Sequence, residues 1–312
     1  MSLDPLATLR ARGLPEERLA LLGRLRSGEL VGVHAELRAL LYLGALLVVF
    51  GVGGTVKDHL RDLGPLTIAG LLAAASAGCL LWCARRAEPF VPERWNSPHA
   101  AFDYVLYLGC AFLGILFGYL EGRFGLLKDL WDLYLLGSAA LFFLLAYRFD
   151  NRFVLTMAVF NLAGFLGVRL GRFIHDFELL KWSALGLCAA LAGTGVQTAR
   201  SGLKPHFRDT YLTIAIQGAA VLLLPGVFKD GFAGVDFVFL AALCAASIVF
   251  GLSERRFAYL LYGVGFGYLG FSACFLKSLE SPGVGFVALY LLGSAAALVV
   301  LLFSLRRRME DA

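Results

Sequence analysis

Residues Val284–Leu305 read VGFVALYLLGSAAALVVLLFSL, 22 positions without an acidic, basic or histidine side chain. A bilayer core about 30 Å thick is crossed by a helix of roughly 20 apolar residues. Lipid offers the backbone no hydrogen bonds, so a helix, which satisfies its own, is the conformation such a run must take. Nine further runs have the same character: Ala39–Val56, Leu63–Ala84, Tyr104–Leu120, Leu133–Tyr147, Phe153–Val168, Trp182–Ala199, Thr210–Phe228, Phe237–Leu252 and Phe257–Leu276. None holds Asp, Glu, Lys, Arg or His in its interior. A β-barrel would need alternating apolar and polar positions, which are lacking.

The rest of the composition agrees. Of 312 residues, 59% are hydrophobic and 16% charged, with mean hydropathy +0.75; a soluble domain carries about 25% charged residues. No polar stretch exceeds the first 38 residues, which excludes a large soluble domain. The expected division is a cytoplasmic N-terminal helical segment, 1–38, and a polytopic transmembrane domain, 39–312. Pro15-Glu16-Glu17 suits a first helical turn. Leu19, Leu22 and Leu25 beside Arg18, Arg24 and Arg26 fit a helix lying on the inner leaflet, or one packed on the inner loops.

The net charge is +5. The basic residues fall between the apolar runs, where they orient the chain rather than bind nucleic acid. With the N-terminus inside, the inner segments hold 19 Lys and Arg and the outer loops 9. Both termini are therefore expected in the cytoplasm, and an even number of spans is consistent with that.

Leu-Tyr-Leu-Leu-Gly-Ser-Ala-Ala occurs twice, at Leu133–Ala140 and Leu289–Ala296, with Tyr107 lying 26 residues before the first copy and Tyr262 lying 27 before the second. Each copy runs into arginines, Arg148–Arg152 and Arg306–Arg308. Lys-Asp recurs in outer turns at Lys57-Asp58, Lys128-Asp129 and Lys229-Asp230. The expected architecture is thus an all-α integral membrane protein of about ten transmembrane helices arranged as five stacked helical hairpins. It is a parallel rather than an inverted repeat.

Few residues bear on chemistry. Gly265-Phe-Gly267-Tyr-Leu-Gly270 matches the dinucleotide fingerprint by letter, but it lies inside an apolar run with no preceding strand. Glycine, 36 of 312 residues, serves instead to let helices approach, as in Gly114-x-x-x-Gly118, Gly167-x-x-x-Gly171 and Gly263-x-x-x-Gly267. Such faces fit a homo-oligomer or a membrane-protein partner, or they line a groove for a lipid tail. Asn161, Gln197 and Gln217 are the polar residues inside spans, where they form interhelical hydrogen bonds or bind a ligand; Asn161 and Gln217 are the ligand-binding candidates. Cys79, Cys83, Cys110, Cys188, Cys244 and Cys274 all lie in apolar runs, which points away from disulfides and zinc. No cofactor or metal is expected, and G-x-S-x-G, H-E-x-x-H and Walker motifs are lacking.

The densest polar patch after the N-terminus is Arg169, Arg172, His175, Asp176, Glu178 and Lys181, on the expected outer rim. His175 and Glu178 are spaced i, i+3, so one helical turn would bring them together. His175, Asp176 and Glu178 are the catalytic candidates; a salt-bridge ladder with Arg169 and Arg172 explains the same pattern.

The segment Tyr147-Arg148-Phe149-Asp150-Asn151-Arg152-Phe153-Val154-Leu155, followed by Leu162-Ala163-Gly164-Phe165-Leu166-Gly167-Val168, resembles the bacterial membrane-protein family known as domain of unknown function 2157. A short charged helical segment up to Arg38 and a Leu-Gly-rich first span, Tyr42–Gly54, extend the resemblance over the first half of the chain. It implies a bacterial inner-membrane protein and brings no activity and no catalytic residues. Two functional classes follow: a non-enzymatic protein that moves or holds a lipophilic or neutral small molecule or serves assembly, and a membrane enzyme acting on lipid or envelope precursors at the outer rim. The lack of charge at mid-depth favours the first, because ion-coupled transport uses such groups.

Overall fold

A computed structural model of the chain describes residues 64–87, 90, 100–125, 132–279 and 283–311, together with Leu43, Gly44, Leu47 and Gly51. The 1–38 segment, nearly all of the expected first span, and the Lys57-Asp58 and Lys128-Asp129 turns lie outside the described residues. Among the described residues every long element is a helix: α1 Pro65–Arg86, α2 Ala100–Phe124, α3 Asp132–Phe149, α4 Arg152–Phe173, α5 Phe177–Ser201, α6 Phe207–Asp230, α7 Val235–Ser253, α8 Phe257–Ser278 and α9 Val284–Asp311. All nine are long and apolar enough to cross a membrane. They coincide with the second to tenth apolar runs, and α4 extends past the expected Val168 to include Arg169 and Arg172. Extension is cheap for a helix, since its hydrogen bonds are internal.

The chain divides into two compact units. In the first, α1 meets α2 where Ser76 Oγ donates to Gly109 O at 2.9 Å; a Cβ on Gly109 would lie 3.0 Å from that of Cys79. The second unit holds α3–α9. Its closest packing pairs α3 with α4, α5 with α6 and α7 with α8. These hairpins are one helix out of phase with those expected from the repeated octapeptide, which pair the helices joined on the opposite side. Leu133 is the second residue of α3, whereas Leu289 is the sixth of α9, so the two copies sit about one helical turn apart relative to their helix starts.

The pairing has local causes. Asn151 caps α4, its Oδ1 accepting from the Phe153 and Val154 amides. Gly202 ends α5 in the left-handed region at φ 70°. Each of the three connecting turns holds one non-glycine residue with positive φ: Asp150, Lys204 and Arg255. Such residues are uncommon and each costs about 1 kcal/mol or more, a strain that surrounding contacts must offset. We call this side of the unit the turn end. On the opposite side α4 and α5 are joined by Ile174, His175 and Asp176 alone, the link end.

Between α7 and α8 contact is intimate. A Cβ on Gly263 would lie 2.7 Å from Cys244 O, so Gly263-x-x-x-Gly267 is a packing face as expected. Ala220, Leu223, Val227, Leu240, Cys244 and Cys274 form the core shared by α6, α7 and α8. Gly167 and Gly171 have no neighbour within 4 Å of where a Cβ would stand. α4 packs only loosely on α5 and α6, and a cleft results.

Candidate functional site

The cleft has a volume of about 470 Å³ and lies between α4, α5 and α6. This is within the range of roughly 300–1,000 Å³ occupied by small-molecule sites. α4 contributes Phe160, Ala163 and Gly167 on one helical face, α5 contributes Ala184, Cys188 and Leu191, and α6 contributes Ile214, Gln217 and Val221. It extends from mid-helix towards the link end, where Leu170 and Leu180 line it. No lining residue is acidic, basic or histidine. The small residues on α4 hold that helix's surface back, the groove-lining role that glycine faces allow.

Two lining side chains offer full hydrogen-bonding groups. Ser183 Oγ already donates to Leu179 O, 2.8 Å away on its own helix. The Gln217 amide makes no hydrogen bond among the described residues and lines the cleft at the middle of α6. An amide held in an apolar environment without a partner costs about 1–3 kcal/mol. Asn161, the other sequence candidate, is spent locally: its Nδ2 donates to Met157 O at 2.8 Å in α4, and it does not line the cleft. Gln197 is exposed on α5.

Among the described residues the rim candidates do not converge on one side-chain cluster. His175 sits in the three-residue link, exposed, and not in a helical turn; the i, i+3 argument that brought it to Glu178 therefore fails. Asp176 caps α5, accepting from the Glu178 amide at 3.0 Å. Glu178 pairs with Lys181 at 2.6 Å. Arg169 and Arg172 turn not to Asp176 but to Asp132 on α3, at 3.5 and 3.1 Å. Asp132 is wholly buried.

Lys181 is the better-connected member. It is buried, and its Nζ donates to both oxygens of Asp236, at 3.0 and 2.8 Å, joining α5 to α7. Asp236 in turn occupies the space over Gly226, where a Cβ would lie 1.5 Å from its Oδ2. Hydropathy leaves both charged residues one position outside an apolar run, so sequence reasoning treated them as loop residues.

The turn end holds a second buried cluster, which sequence reasoning missed. Asp150 is almost fully buried between Lys204, 3.2 Å away, and His206, whose Nε2 meets its Oδ1. Lys204 Nζ also lies 5.3 Å over the Phe90 ring. Burial pushes the His206 imidazole below its ordinary value, against the pull of Asp150, and Arg152 and Lys204 push the same way. Beside the cluster the Tyr147 and Tyr211 hydroxyls are 3.2 Å apart, and the Tyr147 ring meets Phe207 edge-on. These contacts tie the α3–α4 hairpin to the α5–α6 hairpin. Arg208 with Glu254 and Arg256 with Asp209 then tie α5–α6 to α7–α8. The signal was present as Asp150-Asn151 in one basic loop and Lys204-Pro205-His206 in another, but nothing in spacing links positions more than 50 residues apart.

Among the described residues the helices bury charge near their ends and leave an apolar cleft between α4, α5 and α6. Residues 14–155 match the family DUF2157, described as a predicted membrane protein. The DUF2157 match covers the Asp150-Asn151 turn and the start of α4, and it ends before the first residue that lines the cleft, Val159. Neither a curated protein nor a solved structure matches the chain. With its nine apolar helices among the described residues, the chain is a membrane protein with multiple apolar helices.

Proposed function

We propose that this chain is a non-enzymatic protein of the bacterial inner membrane that holds a neutral lipophilic molecule in the cleft between α4, α5 and α6. The observation that carries this reading is the Gln217 amide, which has no hydrogen-bond partner among the described residues and faces a cleft lined by no charge. A molecule with an apolar body and one carbonyl or hydroxyl group satisfies the amide and fills the apolar walls. A charged ligand would lose its hydration without gaining a counter-ion. The site lies within helices that cross the bilayer, so such a molecule arrives laterally from lipid.

The wider reading is ten spans, with both termini cytoplasmic and the turn end on the cytoplasmic side. The basic bias among loops supports it. We also infer that hairpins are the repeating unit, in the phase α3–α4, α5–α6, α7–α8; the shared positive-φ turns support it. Glycine faces with no close neighbour, such as Gly167-x-x-x-Gly171, support ligand contact or a second copy of the chain. An enzyme using His175, Asp176 and Glu178 at the extracytoplasmic rim is the second reading. We rank it lower because Asp176 is engaged as a cap and Glu178 by Lys181.

Native mass spectrometry of the purified chain tests the first reading. A co-purifying neutral lipophile is expected, and Gln217→Leu should lower its retention about 2- to 12-fold, the loss of one net hydrogen bond of about 0.5–1.5 kcal/mol. Asn161→Leu should leave retention unchanged. Equal retention in wild type and Gln217→Leu contradicts the reading.

A further inference from the structure

We propose that Asp150, Lys204 and His206 form a latch on the cleft, and that acidification releases it. The consequence for ligand rests on the cleft being the binding site; the latch itself does not.

Among the described residues, the α3–α4 hairpin meets α5–α6 at two ends. At the link end α4 continues covalently into α5 through Ile174–Asp176, while its arginines turn back to Asp132 within the same hairpin. The α5–α6 hairpin is fixed to α7–α8 at both ends, by Lys181–Asp236 and by the Arg208 and Asp209 pairs. Between α4 and α5–α6 packing is loose. Among the described residues, the ionic cluster with its Tyr147 contacts ties the turn end of α4 to the α5–α6 hairpin. A covalent joint at one end and a non-covalent tie at the other describe a hinge and a catch, with the cleft between them.

The groups around the imidazole set its proton affinity. Asp150 and Arg152 face His206 from the first turn and Lys204 from its own, with the Phe207 ring alongside. Its Nδ1 is buried and without a hydrogen bond. The closed latch therefore holds His206 neutral, below its ordinary value. Once the latch opens and the ring is solvated, it titrates near 6.5. The open state thus binds the proton more tightly. Closure is at full strength above about 6.5 and weakens as pH falls towards the lower closed-state value.

The test is hydrogen exchange on the full chain in phosphatidylcholine nanodiscs at pH 7.5 and 5.5, corrected for intrinsic exchange. Amides of the Asn151–Val154 and Phe207–Asp209 segments should lose protection by up to about tenfold at the lower pH, the limit set by one unit below 6.5. The Glu254–Arg256 turn, which has no histidine, should not change. His206→Gln should flatten the pH profile, and Asp150→Asn should give low protection at both pH values. An unchanged wild type, an undiminished pH response in His206→Gln, or equal loosening of the Glu254–Arg256 turn overturns the latch. If either variant fails to fold, the contrast between the two turns in the wild type still decides. Retention of co-purified lipophile, measured in parallel, separates the two ideas: a latch that opens without release contradicts the cleft reading alone, and release without opening contradicts the latch.

Discussion

Replacing Lys181 by Met should be among the most damaging single changes in the second unit, and a second replacement should repair it. Lys181 and Asp236 are about 4% and 6% exposed, with Nζ 2.8 Å from Oδ2. At an effective dielectric of about 20, charges so placed attract by roughly 6 kcal/mol before desolvation is subtracted. Removing one partner strands the other: Lys181→Met leaves the Asp236 carboxylate buried over Gly226, at an expected cost of about 3–5 kcal/mol. Replacing both, as Lys181→Met with Asp236→Leu, should recover most of that loss. Glu178→Gln is the control. Glu178 makes the shorter contact to Lys181, 2.6 Å, yet is 57% exposed, so about 0–1 kcal/mol is expected. Reversible unfolding in mixed detergent micelles, with all four corners of the cycle, measures the coupling. Additive single mutants, or a Glu178→Gln loss equal to that of Lys181→Met, would refute the claim that burial rather than distance sets the strength of this pair.

Gly226→Ala should destabilise by about 1–3 kcal/mol, since its Cβ would strike the Asp236 carboxylate; a thermal melt comparing it with Gly171→Ala, which meets open space, checks this. His175 and Glu178 changed together to Gln should leave expression and melting nearly unchanged; a lost cellular phenotype or lost bound metal at constant protein level would instead revive the rim enzyme. Alkaline phosphatase fused after Ala312 should be inactive, and an active fusion would reverse the orientation inferred from basic residues.

The spans were legible because hydropathy is a local property and the bilayer enforces helix on each run. The helix ends were less so. Asp132, Lys181 and Asp236 each stand beside an apolar run and Asp150 stands between two, and a window over hydropathy assigns them to loops. Their burial depends on partners 37 to 56 residues away, which no local pattern encodes. Gln217 and Asn161 look alike in sequence, as amides in apolar runs. Only the structure separates the one bonded to its own helix from the one facing a cleft. The cleft itself arises from how loosely α4 meets α5 and α6, a tertiary quantity; its one trace in the sequence is the small-residue face around Gly167. The octapeptide repeat suggested hairpins but in the other phase, because identical letters mark similar helices without saying which neighbour each packs against.

A cryo-electron microscopy map of the full chain in lipid nanodiscs tests the central claim most directly. The account predicts elongated density between α4, α5 and α6 that does not belong to the chain, with one polar group within hydrogen-bonding distance, about 2.7–3.2 Å, of the Gln217 amide. A cleft collapsed onto itself, with the Gln217 amide bonded to a neighbouring helix, would contradict it.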